Sequence, residues 1–256
     1  MLTTAFRGGT AAVRRAGWRA ALLALVVSAL TVLPELFALA ALPVVLLLNL
    51  ALIRVLAAHR DTPVPEHVTV DDADRSPRTA VTRVGRMAFP AIRLALVNAL
   101  LAISIGLLTL LLSGHAGDDL ADLTTAEERQ FAVGGGLLFA LFSTFIAVAP
   151  QRIALEGDSR VLIALAHSVR IARAYFGSLL TLGLAEFAIV GLPFALLDVG
   201  WPGAVAQAIV GTAVSLLLVA TATEIYLAGP RLDVPAEFGR RPRKDPPDPP
   251  PYESPR

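Results

Sequence analysis

Residues 18–55 read WRAALLALVVSALTVLPELFALAALPVVLLLNLALIRV. Between Arg19 and Arg54 this stretch carries one ionisable side chain, Glu35. A spanning helix needs about 20 apolar residues, because each rises 1.5 Å through about 30 Å of hydrocarbon. The stretch is therefore too long for one span. Near its middle stand Pro34 and Glu35, a residue without a backbone donor beside a carboxylate that prefers the membrane interface. The reading is a tight hairpin of two spans, with a kink expected in the second at Pro43. The run also far exceeds the apolar core of a secretory signal, about 7 to 15 residues, and no small-residue cleavage site leads into soluble sequence.

Four more apolar blocks follow, so the expected architecture is all-α and integral to the membrane, with six transmembrane helices. The spans are placed at 18–33, 35–57, 91–112, 131–150, 175–198 and 202–228, within a membrane domain 1–230 that leads into a tail, 231–256. The whole composition agrees: 55% of the 256 residues are hydrophobic and the mean hydropathy is +0.66, outside the soluble range. Net charge is +1, which gives no sign of a nucleic-acid partner. With no cysteine, disulfides, thiolate zinc sites and iron–sulfur ligation are excluded.

Orientation follows from the arginines, since short basic loops stay in the cytoplasm. With the N-terminus inside, six spans leave 21 of the 22 basic residues on the cytoplasmic side and Arg129 alone outside, in the acidic segment 114–130. Five spans would put a basic terminus outside. The expected location is the cell membrane, multi-pass, with both termini cytoplasmic.

Before each odd-numbered span lies an arginine-bearing segment with helical spacing. From Ser76 to Phe89 the apolar positions Val81, Val84 and Ala88 step by three and four, and Arg78, Thr82 and Arg86 share another face. From Asp158 to Phe176 the apolar set is Leu162, Leu165, Val169, Ala172 and Phe176, opposed by His167 and Arg170. Thr10 to Trp18 is a shorter version. The chain reads as three repeats of one unit, a cytoplasmic interfacial amphipathic helix followed by two spans. Such helices set arginines among anionic headgroups, each worth about 1 kcal/mol. Arg78, Arg83, Arg86, Arg170 and Arg173 are the candidate contacts to anionic lipid of the inner leaflet.

The stretch FIAVAPQRIALEGDSRVLIALAHSVRIARAYFGSLLTL, residues 145–182, resembles the signature region of the YciC-like superfamily, which includes the membrane domain of some glycerophosphoryl diester phosphodiesterases. The matching elements are Glu156-Gly157, Ala164-Leu165, Ser168 and Phe176. The resemblance extends over residues 8–230. It implies a six-span helical membrane domain of prokaryotic type, uncharacterised in function; the soluble phosphodiesterase barrel of some relatives has no counterpart in these 256 residues.

Ionisable groups deep in a membrane are the default functional suspects. Glu186 stands eleven residues into the fifth span, and Asn98, Ser104 and Gln207 on other spans are its candidate partners. Glu186, Asn98 and Gln207 form the candidate intramembrane polar site. Glu224 near the inner end of the last span is expected to pair with Arg231 or Arg93, while Glu35 and Asp198 fall at outer turns. His59, His67, His115 and His167 lack the helical spacing of a zinc site. No catalytic set and no cofactor motif is found. Gly134-Gly135-Gly136 has no P-loop lysine and reads as close helix packing or a flexible helix end. The proline-rich tail RRPRKDPPDPPPYESPR, from Arg240, is expected to be disordered, and Pro249 to Tyr252 fits the Pro-Pro-x-Tyr pattern of WW-domain ligands. The leading expectation is a non-catalytic, lipid-facing structural or accessory module, with an unknown membrane protein as a further partner. The alternative is a small solute or ion transporter or channel that uses Glu186.

Overall fold

The computed structural model describes residues 1–31, 35–60, 63–113, 124–157, 160–196 and 201–229. Pro34, most of the acidic segment after Ser113, Asp198 and the proline-rich tail lie outside them. The described residues are helical, without strands. In chain order they form α1 (Leu2–Ala16), α2 (Trp18–Thr31), α3 (Glu35–Ala58), a 3₁₀ turn (Asp72–Arg75), α4 (Pro77–Gly85), α5 (Ala88–Ser113), α6 (Thr125–Ser143), α7 (Ala149–Glu156), α8 (Val161–Glu186), a π turn (Phe187–Gly191), α9 (Leu192–Leu196) and α10 (Trp201–Ala228). Among the described residues, three stretches are long and apolar enough to cross a membrane: Ala88–Ser113, Val161–Gly191 and Val205–Ala228. By length and composition this is a membrane protein. Trp18–Leu30 and Pro43–Ala58 are apolar but shorter.

Local chemistry sets the boundaries. Gly17, with φ at 55°, turns the chain between α1 and α2, a conformation glycine adopts without steric cost. Pro43 lies within α3, which continues as helix on both sides. The fourth apolar helix departs from its expected 131–150 at both ends. It begins at Thr125 because Thr124 and Glu127 form a capping box: the Thr124 N–H donates to Glu127 Oε2 at 2.8 Å, and Thr124 Oγ1 accepts from the Glu127 N–H at 3.4 Å. It ends at Ser143, where tight turns carry the chain to Pro150 in the first turn of α7. Within α8, Tyr175 leaves helical geometry (φ −129°, ψ 30°) and separates an arginine-bearing half from the apolar half.

The C-terminal half of α3 is the hub. Every residue from Leu50 to Ala57 is buried, Arg54 included, because α2, α4, α5, α7 and α10 all pack on α3. α1 lies against α10 through a stripe of Ala5, Gly9, Ala12 and Ala16. α6 approaches α8 where Gly183 faces the Ala140 carbonyl; a Cβ at Gly183 would stand 3.2 Å from that oxygen. Gly136 is covered by the Phe187 ring, which a Cβ there would overlap. The triple glycine thus serves contact between helices.

The arginine-bearing helices bury one face against the protein and leave part of the apolar set of each at the surface. In α4 the buried positions are Ala80 and Val84, and Val81 is exposed. In α8 they are Val161, Ala164, His167, Ser168, Ile171 and Ala172, while Leu162 is 80% exposed. His167, set opposite the apolar positions by its spacing, is buried where Arg152 meets it.

Candidate functional site

Charged residues concentrate where the ends of α3, α7 and α10 meet the loop 63–76. Arg54 is central. Its Nε donates to Asp74 Oδ1 (3.1 Å), Nη2 to Asp74 Oδ2 (2.8 Å) and to the Thr69 carbonyl (2.7 Å), and Nη1 to the Ala154 carbonyl (2.6 Å) and Thr69 Oγ1 (3.3 Å). All five guanidinium protons are therefore satisfied. The Arg54 side chain is 3% exposed and that of Asp74 is fully buried. Thr69 adds an N–H to the Leu155 carbonyl at 2.7 Å and its Oγ1 to the same oxygen at 3.0 Å, which fastens the loop to α7. Asp71 caps the 3₁₀ turn that carries Asp74.

A second buried group sits alongside. Arg152 Nη1 meets His167 Nδ1, and Arg152 Nη2 lies 3.3 Å from Glu156, whose Oε1 accepts the Tyr226 hydroxyl. His67 stands 3.8 Å from the same carboxylate. Gly157, at φ 68°, ends α7 immediately after Glu156. Ser168 Oγ accepts the Val148 N–H at 3.2 Å and so supports the start of α7 from α8. Glu224 pairs with Arg60, at 2.6 and 2.8 Å through both oxygens, and not with Arg93; Arg231 lies outside the described residues. Arg60, two residues beyond α3, reaches α10 because both helices end at the same level.

The five arginines proposed for lipid divide. Arg78, Arg86, Arg170 and Arg173 are exposed, and their guanidinium groups have no partner among the described residues. Arg83 instead donates to Asp71 (2.8 and 2.9 Å) and to Asp74 (2.9 Å). The Arg83 guanidinium holds the Asp71 carboxyl below its ordinary value of 3.8, and Asp71 in turn raises Arg83. A carboxylate with a depressed folded-state value stabilises the fold above its unfolded value and loses that contribution as pH falls through the folded one. Thermal melting of the wild type and of Asp71→Asn should accordingly differ near neutral pH and converge below 3.8; a gap that persists into acid would contradict the pairing.

The intramembrane candidates do not come together. Glu186 is exposed on a groove of about 560 Å³ between α5, α6, α8 and the π turn, lined by Phe131, Phe139, Gly183 and Phe187 among others. Neither Asn98 nor Gln207 lines it. Asn98 Nδ2 donates to its own helix at the Leu94 carbonyl (3.0 Å), Ser104 Oγ to the Leu100 carbonyl (2.8 Å), and Gln207 Nε2 to the Val190 carbonyl of the π turn (2.7 Å). Glu186 has no hydrogen-bond or charged partner among the described residues.

Reading the sequence missed the buried group around Arg152 and the Arg54–Asp74 pair. One signal was present: Arg54 interrupts an apolar run whose neighbours on all faces are apolar, a position that demands a partner. Among the described residues no three His, Cys, Asp or Glu side chains are grouped to hold a metal ion. Comparison with family models, with curated proteins and with solved structures finds no match to this chain.

Proposed function

We propose that the chain is a non-catalytic, six-span integral membrane protein of the cell membrane, a lipid-facing structural or accessory module whose arginine-bearing end lies at the inner leaflet. In this reading α1, α4 and the first half of α8 are interfacial helices, each leading into two spans, and both termini are cytoplasmic. The likeness to the YciC-like superfamily belongs to the same proposal. Support comes first from α5, where Phe89, Ile92, Leu96, Leu100, Ile103, Leu107 and Leu111 are all exposed. They step by three and four along one face, the stripe that acyl chains would cover.

The observation that carries the lipid part is the division among the arginines. Arg54, Arg60, Arg83 and Arg152 are committed to carboxylates or to His167. Arg78, Arg86, Arg170 and Arg173 are left exposed on helices that also expose Val81 and Leu162, and Trp18 is 71% exposed at the same end. Arg93 lies 4.1 Å over the Phe89 ring, an apolar and cationic pair suited to the headgroup boundary. At about 1 kcal/mol for each basic residue, replacing the four exposed arginines with alanine should weaken the preference for anionic over zwitterionic lipid at least tenfold. Competition between labelled lipids in nanodiscs measures it. Arg83→Ala, at a side chain already engaged, should leave the preference intact. An unaltered preference in the fourfold variant would remove the lipid role.

A further inference from the structure

The groove at Glu186 is built unlike the rest of the apolar bundle. Its walls come from α5, α6 and α8, with the π turn closing one side, and its volume of about 560 Å³ falls within the range of small-molecule sites. The rings of Phe131, Phe139 and Phe187 line it, together with Gly135 and Gly183. Ser143 is the other polar side chain on the wall, and its Oγ donates to the Ala140 carbonyl at 3.2 Å. Glu186 faces this space with no partner among the described residues.

Charge and wall chemistry together select the occupant. A bare inorganic cation needs several oxygen ligands, about six for magnesium and six to eight for calcium, and one carboxylate does not supply them. An organic cation bearing apolar groups meets both demands: its charge compensates Glu186 where unpaired charge is costly, and its body displaces water from aromatic walls that also attract cations. We infer that the groove is a binding site for a lipophilic organic cation, with Glu186 as counter-ion and the three phenylalanines as its apolar seat. This narrows the transport alternative to one ligand class, but requires binding alone, and it is independent of the arginine-bearing end.

The test is equilibrium binding of tetraphenylphosphonium to the full chain in nanodiscs of zwitterionic lipid, with empty nanodiscs as the reference. Saturable binding at one site per chain is expected, weakened at least tenfold in Glu186→Gln and retained in Glu186→Asp. Ala102 is exposed on the groove wall, so Ala102→Trp should fold normally and also weaken binding by occupying the space. The variant lacking the four exposed arginines should bind the probe as the wild type does, which separates this site from the lipid reading. Binding no greater than that of empty nanodiscs would overturn the inference. So would equal affinity in folded Glu186→Gln, or in Ala102→Trp.

Discussion

Replacing Asp74 with alanine lowers the unfolding free energy by about 3 to 5 kcal/mol, the usual consequence of removing one member of a buried ion pair. The reason lies in what remains. Arg54 keeps its bonds to Thr69 and Ala154 but loses the one carboxylate that pairs with it among the described residues, at a site 3% exposed. Arg83 loses one of its two carboxylates at the same time. The cost is relieved when both partners go, since a buried pair exchanged for apolar side chains is often close to neutral. Arg54→Leu combined with Asp74→Ala should therefore be less destabilised than the sum of the single changes. Reversible denaturation in detergent gives the cycle. Asp72, whose side chain is 87% exposed, is the internal control, and Asp72→Ala should cost less than about 0.5 kcal/mol. An Asp74→Ala protein within about 1 kcal/mol of wild type would contradict the network.

Gly9→Val should be the second most damaging single change, at about 1 to 3 kcal/mol for forced overpacking. A Cβ at Gly9 would stand 2.9 Å from the Thr221 backbone nitrogen and 3.0 Å from the Ala220 carbonyl carbon. These are backbone atoms of α10 and cannot rotate aside, so α1 has to move. Gly8 is the informative contrast: its Cβ would meet the Glu224 side chain at 3.1 to 3.2 Å, the end of a long group. Gly8→Ala should be milder. Arg14 and Arg15 are already exposed and are held from trypsin by the helical backbone, so loosening α1 in Gly9→Val should raise the cleavage rate in that helix at least tenfold, corresponding to about 1.4 kcal/mol of local opening. Cleavage at the wild-type rate would mean that α1 does not depend on this contact.

The long apolar helices were legible because length and hydropathy are local properties. Their ends were less so: Thr124 and Glu127 stand at capping-box spacing, but a hydropathy boundary drawn at Phe131 ignores them. Which residues of α4 and α8 pack against the protein was not legible for a different reason. Spacing shows that two faces exist, whereas the choice between them depends on neighbours elsewhere in the chain. His167 joined the polar set by residue type, although Arg152, fifteen residues earlier, holds it inside. Glu224 was expected to pair with Arg231 or Arg93, but its partner is Arg60, 164 residues away. Glu186 stands out in the sequence as an acid deep in an apolar block, while its supposed companions Asn98 and Gln207 bond to backbone carbonyls away from its carboxylate. Type and depth can be read from one segment; pairing requires two.

The placement of Arg54 at the hub also sets an order of events during synthesis. Asp74 follows it by 20 residues, but the Ala154 carbonyl follows by 100. At about 5 to 20 residues per second, Asp74 is made within a few seconds of Arg54, whereas α7 emerges roughly 5 to 20 seconds after it. In that interval α2, α3 and α4 can carry a neutralised arginine with one side still open. The early carboxylate therefore acts as an internal chaperone for a charge whose final seat is completed only when later helices arrive.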